Sequence, residues 1–299
     1  MSFGRFGVAP RRIVFVAAVL ALAALAPAAH AQRAFPSPEA AVTALVDAVA
    51  TNDEAALTTL LGPDWKRVIP PEDRDQDDIY AFLANWSKSN KIVREGPDKA
   101  LLAVGPEDWT LPIPMVQRAG GWRFDMRAGA DEMRTRRIGR NELAAMQAAL
   151  AYYDAQKEYA LADRNGDGVR EYAQRIISTP GRRDGLYWAA LPGEEESPLG
   201  PVFGDDKPGD DYHGYYFKVL KAQGPNARGG AYDYRIKGRM TAGFALVAWP
   251  AKYGDTGVMS FIVSHEGQVY EKDLGPGTEA AARAMTRFDP DASWEKVTP

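Results

Sequence analysis

Cysteine is absent from the 299 residues, and histidine occurs only three times. Without cysteine the chain forms no disulfide bond, offers no thiolate to a metal ion and lacks the residue that anchors a lipoprotein. The histidines, His30, His213 and His265, are too dispersed along the sequence to suggest a zinc site. Stability therefore has to come from core packing, which the 45% hydrophobic content allows.

Sequence motifs of common catalytic and cofactor sites are also missing. No serine lies in a G-x-S-x-G pattern, and residues 224–230 form neither a G-x-G-x-x-G nor a Walker motif. A Ser-His-Asp arrangement stays open because four residues are close in sequence, namely Asp255, Ser260, Ser264 and His265. His265, however, is expected to be solvated in a hairpin turn. We predict no catalytic and no cofactor-binding residues, and we favour a non-enzymatic role while leaving an enzyme open.

The charge of the chain is low and negative. There are 36 basic and 40 acidic residues, which gives a net charge of −4. The first 31 residues hold three of the arginines and no acid, so the remainder carries 33 basic and 40 acidic residues, a net charge of −7. This acidic balance argues against nucleic acid as a partner.

The first 31 residues have the pattern of a signal peptide. A basic segment with Arg5, Arg11 and Arg12 precedes an apolar stretch at residues 13–26, and residues 29–31 read Ala-His-Ala before Gln32. The apolar stretch is shorter than the ~20 residues that span a bilayer, so an uncleaved anchor is the weaker interpretation. The arginine pair also allows a twin-arginine signal as a minor alternative. We expect a periplasmic or secreted protein without a stable membrane anchor after cleavage.

Residues 32–130 are predicted to form an N-terminal α+β domain. Apolar residues at helical spacing predict three helices, at 38–50, around Leu57 and at 79–86. Two hairpins follow, at residues 91–104 and 109–126, with Pro112 and Pro114 making the strand that contains them an edge strand or a broken one. The expected architecture is helices packed on a curved antiparallel sheet.

The segment ALVDAVATNDEAAL at residues 44–57 is similar to the opening of nuclear-transport-factor-2-like domains. This resemblance implies a cone in which helices close over the sheet, and such cones commonly enclose an apolar pocket. A small molecule or a substrate bound there is the alternative function, and the residues to inspect are Asp64, Trp65, Trp86 and Trp109. An unrelated α+β domain stays open, and the resemblance carries no activity of its own.

Residues 131–299 are predicted to form a second α+β domain. A long helix is expected from Asn141 to about Leu161, preceded by the polar residues 134–140. A loop at 192–211 contains seven acidic residues and eight glycines or prolines, and loops of this length are usually mobile or functional. Antiparallel strands follow at 215–220, 244–249, 258–263 and 269–274, with a last helix at 278–287.

This half of the chain resembles the globular part of type II secretion pseudopilins. The similarity lies in GYYF at 214–217, AWP at 248–250, YGDTG at 253–257 and SFIV at 260–263. Pilins carry a strongly apolar N-terminal helix for fibre assembly, whereas the helix expected here follows polar residues and a whole other domain. The resemblance therefore implies a related fold rather than a fibre.

A calcium-type loop follows the long helix. Residues 163–171 have the pattern D-x-N-x-D-G-x-x-E, in which alternate oxygen side chains converge on a cation. The candidate ligands are Asp163, Asn165, Asp167, the Val169 carbonyl and Glu171. Position twelve of the loop is Gln174 where an EF-hand needs glutamate, which favours a shorter, structural Ca²⁺ loop. The alternative is two solvated turns that end the helix.

The whole segment from Phe35 to Val297 resembles an uncharacterised bacterial exported family known as domain of unknown function 2950. The similarity is carried by DRNGDG at 163–168, STPGRRDGLYW at 178–188 and SPLGP at 197–201. This resemblance implies export but no activity. We expect a non-enzymatic envelope assembly or binding protein with a structural Ca²⁺ loop, and an envelope protein or a small molecule as its partner.

Overall fold

The computed structural model describes residues 32–71, 75–164, 166–191, 193–200 and 211–298. The predicted signal peptide, the predicted ligand Asn165 and most of the acidic loop lie outside these residues. The described chain folds into two compact units, one running to Trp109 and including Met115–Phe124, the other comprising Thr110–Pro114 and the residues from Asp125 onward. The predicted division after residue 130 falls within a helix and stays a prediction about domain organisation.

The described residues of the first unit, together with Thr110, form four helices and an antiparallel sheet. Its helices are α1 (Pro38–Ala50), α2 (Glu54–Leu61), α3 (Trp65–Val68) and α4 (Gln76–Lys88), and its strands are β1 (Asn90–Arg94), β2 (Lys99–Val104), β3 (Trp109–Thr110), β4 (Met115–Arg118) and β5 (Gly121–Phe124). The strand order is β1-β2-β4-β5, with β3 also paired to β2. The predicted hairpins are thereby confirmed, and the strand with two prolines is broken into β3 and β4.

Capping residues fix where the first helices begin and end. The Ser37 side chain accepts the Ala40 N–H before α1, and the Asp53 carboxylate accepts the Ala56 N–H before α2. Gly62 ends α2 with a φ of +100°, a conformation that favours glycine. The core of the unit is formed by apolar side chains of the helices and the sheet, among them Val42, Leu45, Leu60, Leu102, Met115, Trp122 and Phe124.

The second unit consists of one long helix, a central antiparallel sheet and several short strands. Its elements are α5 (Met126–Tyr159), β6 (Tyr215–Leu220), β7 (Ala222–Gln223), β8 (Tyr232–Asp233), β9 (Arg235–Ile236), β10 (Arg239–Met240), β11 (Ala245–Pro250), β12 (Met259–Ser264), β13 (Val269–Asp273), α6 (Thr278–Ala284) and β14 (Glu295–Val297). The central sheet has the order β14-β13-β12-β11-β6. The predicted α+β class with antiparallel sheets is confirmed.

Apolar residues of β11 lie at the centre of this unit. All six residues of β11 are buried, and the strand pairs with β12 on one side and β6 on the other. Helix α5 packs against β12 and β11, and α6 packs against β11. Gln156 of α5 is fully buried, and its side-chain amide both accepts the Ala173 N–H and donates to the Ala173 carbonyl, each at 2.8 Å. This pairing holds the segment after α5 against the helix.

The prediction that the long helix begins at Asn141 is wrong. Helix α5 begins at Met126, because the Asp125 carboxylate accepts the Ala128 N–H and caps it there. Residues 134–140 lie within the helix, and Arg136 pairs with Glu132 one turn earlier. These residues are largely solvated, so they lack the apolar stripe on which the prediction depended.

Helix α6 ends three residues earlier than predicted, because Met285 adopts an extended conformation after Ala284. No helix among the described residues has the length and apolar character needed to cross a membrane.

Candidate functional site

The calcium-type loop begins four residues after α5, and the Asp163 carboxylate organises it. This carboxylate accepts backbone N–H groups from Gly166 at 2.9 Å, Asp167 at 3.2 Å and Gly168 at 2.7 Å. Gly166 and Gly168 have φ values of +73° and +85°, which favour glycine and turn the backbone around the carboxylate. The glycines of the motif and its first aspartate therefore act together, as the sequence pattern predicts.

The second aspartate of the motif has a partner that lies far along the chain. One Asp167 oxygen accepts the Val169 N–H at 3.0 Å, and the other lies 2.9 Å from an Arg239 Nη2 in β10. Arg239 thus compensates part of the negative charge that the sequence concentrates in this loop.

The end of the motif is joined to the same strand. Glu171 accepts the Met240 N–H at 3.2 Å, and the Tyr172 N–H donates to the Met240 carbonyl at 2.8 Å. Val169, which lies between Asp167 and Glu171 in the sequence, is half-buried. The loop therefore connects the end of α5 to β10.

The candidate ligand atoms of the loop are of the chemical type that a hard cation prefers. Asp163, Asp167 and Glu171 provide only oxygen, the ligand that Ca²⁺ prefers, and a carboxylate has about four lone-pair sites, so the amides do not exhaust Asp163. In the part of the chain that the structure describes, no three His, Asp or Glu side chains are gathered tightly enough to hold a metal ion. Calcium in this loop stays a prediction.

A buried arginine anchors the loop on its other side. The Arg164 side chain is only 6% exposed and forms an ion pair with Glu195. Its guanidinium stacks on Trp188, at 5.5 Å from the ring centroid, and also on Tyr159. The same Glu195 carboxylate accepts a bond of 2.9 Å from Arg183, which stacks on Trp188 at 5.4 Å. We call these five residues, Tyr159, Arg164, Arg183, Trp188 and Glu195, the Trp188 cluster.

Two further hydrogen bonds hold the Trp188 cluster together. The Trp188 Nε1–H donates to the Glu195 carbonyl at 3.0 Å, and the Tyr159 hydroxyl donates to the Arg183 carbonyl at 2.7 Å. Burial, together with the nearby carboxylates of Glu171 and Asp184, raises the pKa of Tyr159 to about 12. Tyr159 is therefore a neutral hydrogen-bond donor at physiological pH.

Sequence reasoning missed Arg164, Arg239 and Glu195. Arg164 occupies a variable position of the calcium-type motif, where the pattern carries no information. Arg239 and Glu195 come from segments far from the loop in sequence, so no local spacing links them to it. The only available signal was the excess of acidic residues in 163–171, which requires some positive partner.

The four residues to inspect in the first unit differ in exposure. Trp65 is buried, and its Nε1–H donates to the Thr58 hydroxyl at 3.1 Å. Asp64 is exposed, Trp86 is half-buried, and Trp109 is 47% exposed. Trp65 thus contributes to the core, while Trp109 presents its ring to solvent.

His265 lies in the hairpin turn between β12 and β13, as predicted, but the prediction that it is solvated there is wrong. Its ring is half-buried in edge contact with Tyr234 and Phe244, with centroids 5.4 and 6.2 Å away. Burial holds the pKa of His265 below its usual value of 6.5.

Two residues of the open Ser-His-Asp arrangement have partners outside it. Asp255 forms an ion pair with Arg137, and the Ser264 hydroxyl accepts the Glu266 N–H at 3.3 Å. Both serines are fully buried in β12. The described contacts therefore do not assemble a triad.

A family model described as protein of unknown function (DUF2950) matches residues 32–297. No curated protein and no solved structure matches the chain.

Proposed function

The chain belongs to the DUF2950 family of proteins of unknown function, and we propose that it is an exported, non-enzymatic assembly or binding protein of the bacterial envelope whose second unit is stabilised by Ca²⁺. Export is supported by the signal-peptide pattern of the first 31 residues. The assembly or binding role is supported by the pseudopilin-like residues of the second unit, in which 215–217 and 260–263 fall on β6 and β12, the two strands that flank β11 in one sheet.

The observation that carries the calcium proposal is the wrapping of the loop around Asp163. Three backbone N–H groups already point at one carboxylate, so the loop backbone is wrapped around its first candidate ligand. The other carboxylates would have to move closer to it to share a cation. Asp163, Asn165 and Asp167 would hold Ca²⁺ with side-chain oxygens, Val169 with its carbonyl and Glu171 with its carboxylate. The bound ion would supply positive charge and hold residues 163–171 together after α5, in a chain that has no cysteine for a disulfide.

Calcium binding is tested by melting temperature. A ligand that binds only the folded state adds RT ln(1 + [L]/Kd), about 2.7 kcal/mol at a hundredfold excess over Kd, so Ca²⁺ should raise the melting temperature relative to chelator. Asp167→Ala should abolish the difference. The matched control is Asp154→Ala, which removes an exposed carboxylate of α5 and should leave the Ca²⁺ effect intact.

A second variant separates calcium from the arginine that occupies the same carboxylate. Arg239→Met frees an oxygen of Asp167, so this variant should bind Ca²⁺ more tightly than the wild type if the ion uses that oxygen. If the wild type and Arg239→Met each melt at the same temperature in Ca²⁺ and in chelator, the loop binds no Ca²⁺. Residues 163–171 are then a pair of turns that end the helix.

A further inference from the structure

An open cleft lies beside residues 177–189 of the second unit and has a volume of about 570 Å³. Three of its lining side chains are charged, Arg182, Arg183 and Glu194, and two are aromatic, Tyr187 and Trp188. The cleft thus carries one positive charge more than negative, in a chain whose net charge is −4. A locally positive cleft in an acidic protein attracts anions.

Arg182 is exposed at the rim of this cleft. Among the described residues, no hydrogen bond or ion pair engages its side chain, although its backbone N–H donates to the Thr179 carbonyl at 2.9 Å. A guanidinium presents five donors in a planar fork that matches a carboxylate or a phosphate. Arg182 therefore retains its full capacity to bind an anion.

Arg183 is held in a fixed position next to it. Its guanidinium stacks on Trp188 and donates one bond to Glu195, and the Glu195 carboxylate is shared with Arg164. Two guanidinium groups thus face one carboxylate, which leaves the cluster positive. Arg183 keeps further donors, because its side chain is 36% exposed.

Hydrogen bonds within the segment fix the backbone that carries both arginines. The Asp184 carboxylate accepts the Thr179 N–H at 2.7 Å and the Thr179 hydroxyl at 2.8 Å. The Ser178 hydroxyl accepts the Gly185 N–H at 3.0 Å. These three bonds close the segment between these residues into a turn, so the backbone that carries both arginines is ordered before a ligand binds.

We propose that this cleft binds a small anionic ligand whose carboxylate or phosphate group pairs with Arg182 and Arg183. The rest of the ligand lies along Pro180 and Tyr187 at the same cleft wall. None of the residues that line the cleft is a candidate calcium ligand, and the titration below is run in chelator, so its outcome does not depend on calcium.

The test uses inorganic phosphate and succinate as probes, at constant ionic strength and in the presence of chelator. The reporter is the indole N–H resonance of Trp188, one of seven in the protein, assigned by its loss in Trp188→Phe. We expect a saturable shift with at least one probe, and which probe saturates distinguishes a phosphate from a carboxylate ligand. Non-saturating responses to both probes would overturn the proposal.

Two variants make the result specific to the cleft. Arg182→Gln should weaken binding about tenfold, since charge-assisted hydrogen bonds to an anion contribute that much or more. Its melting temperature should equal that of the wild type, because the exposed side chain engages no described partner. Arg118→Gln removes an exposed arginine from the first unit and should leave the titration unchanged. Identical titrations of Arg182→Gln and the wild type would also overturn the proposal.

Discussion

At the scale of single residues, the environment of His265 makes stability depend on pH. Its Nδ1 is buried without a hydrogen-bond partner among the described residues, and its Nε2 lies 3.4 Å from the Tyr232 hydroxyl. The neighbouring Glu266, which favours the protonated form, only partly offsets the effect of burial on the His265 pKa. Folding therefore favours the neutral ring over the imidazolium.

The sign of the pH effect follows from this lowered pKa. A histidine whose pKa is lower in the folded than in the unfolded chain stabilises the fold above its unfolded pKa of 6.5, and that contribution is lost as the pH falls through the folded pKa. We expect the free energy of unfolding to fall between neutral and mildly acidic pH, and to fall less in His265→Asn. Urea unfolding at several pH values measures both, and parallel profiles would contradict the prediction.

At the scale of elements, the exposed half of α5 contains a glycine, Gly139, that no packing contact requires. A Cβ added at Gly139 would meet no atom within 4 Å, and the residue lies inside a 34-residue helix. Because glycine costs helices about 0.5–1 kcal/mol relative to alanine, Gly139→Ala should stabilise the second unit by that amount.

The matched control for this prediction lies in the same helix. A Cβ at Gly129 would come 3.1 Å from Ile113 Cγ1, closer than packed side chains tolerate without shifting. Gly129→Ala should therefore gain less stability than Gly139→Ala, or lose some, in urea unfolding. Equal gains at both positions would show that helix propensity alone decides the outcome.

The same elements show how far the sequence predicts the fold. Periodicity predicts helices α1, α2 and α4 of the first unit and strands β6, β11, β12 and β13 of the second, because the pattern of apolar residues is local. The short elements α3, β7–β10 and β14 carry too few residues for such a pattern. Periodicity does not predict the first half of α5, since a solvated helix has no apolar stripe. The pairing of Asp167 with Arg239 and the burial of His265 depend on contacts between distant segments, which spacing along the chain does not encode.

At the scale of the whole molecule, export through a cleaved signal peptide predicts that the mature protein begins at one defined residue. If the signal-peptide pattern is functional, the protein recovered from the periplasm or the medium should begin at Gln32, because the Ala-His-Ala sequence precedes it. Intact-mass measurement of the protein from its native host checks this. A chain that keeps residues 1–31 in the membrane fraction would contradict the predicted cleavage of the signal peptide.

The Trp188 cluster has a consequence for how the second unit opens. Arg164 comes from the calcium-type loop, Arg183 and Trp188 from the cleft segment, and Glu195 from the start of the acidic loop, so three surface segments share one set of contacts. None of them can detach without unpairing the others. They should therefore exchange amide hydrogen as one cooperative unit, with a single local opening free energy rather than three.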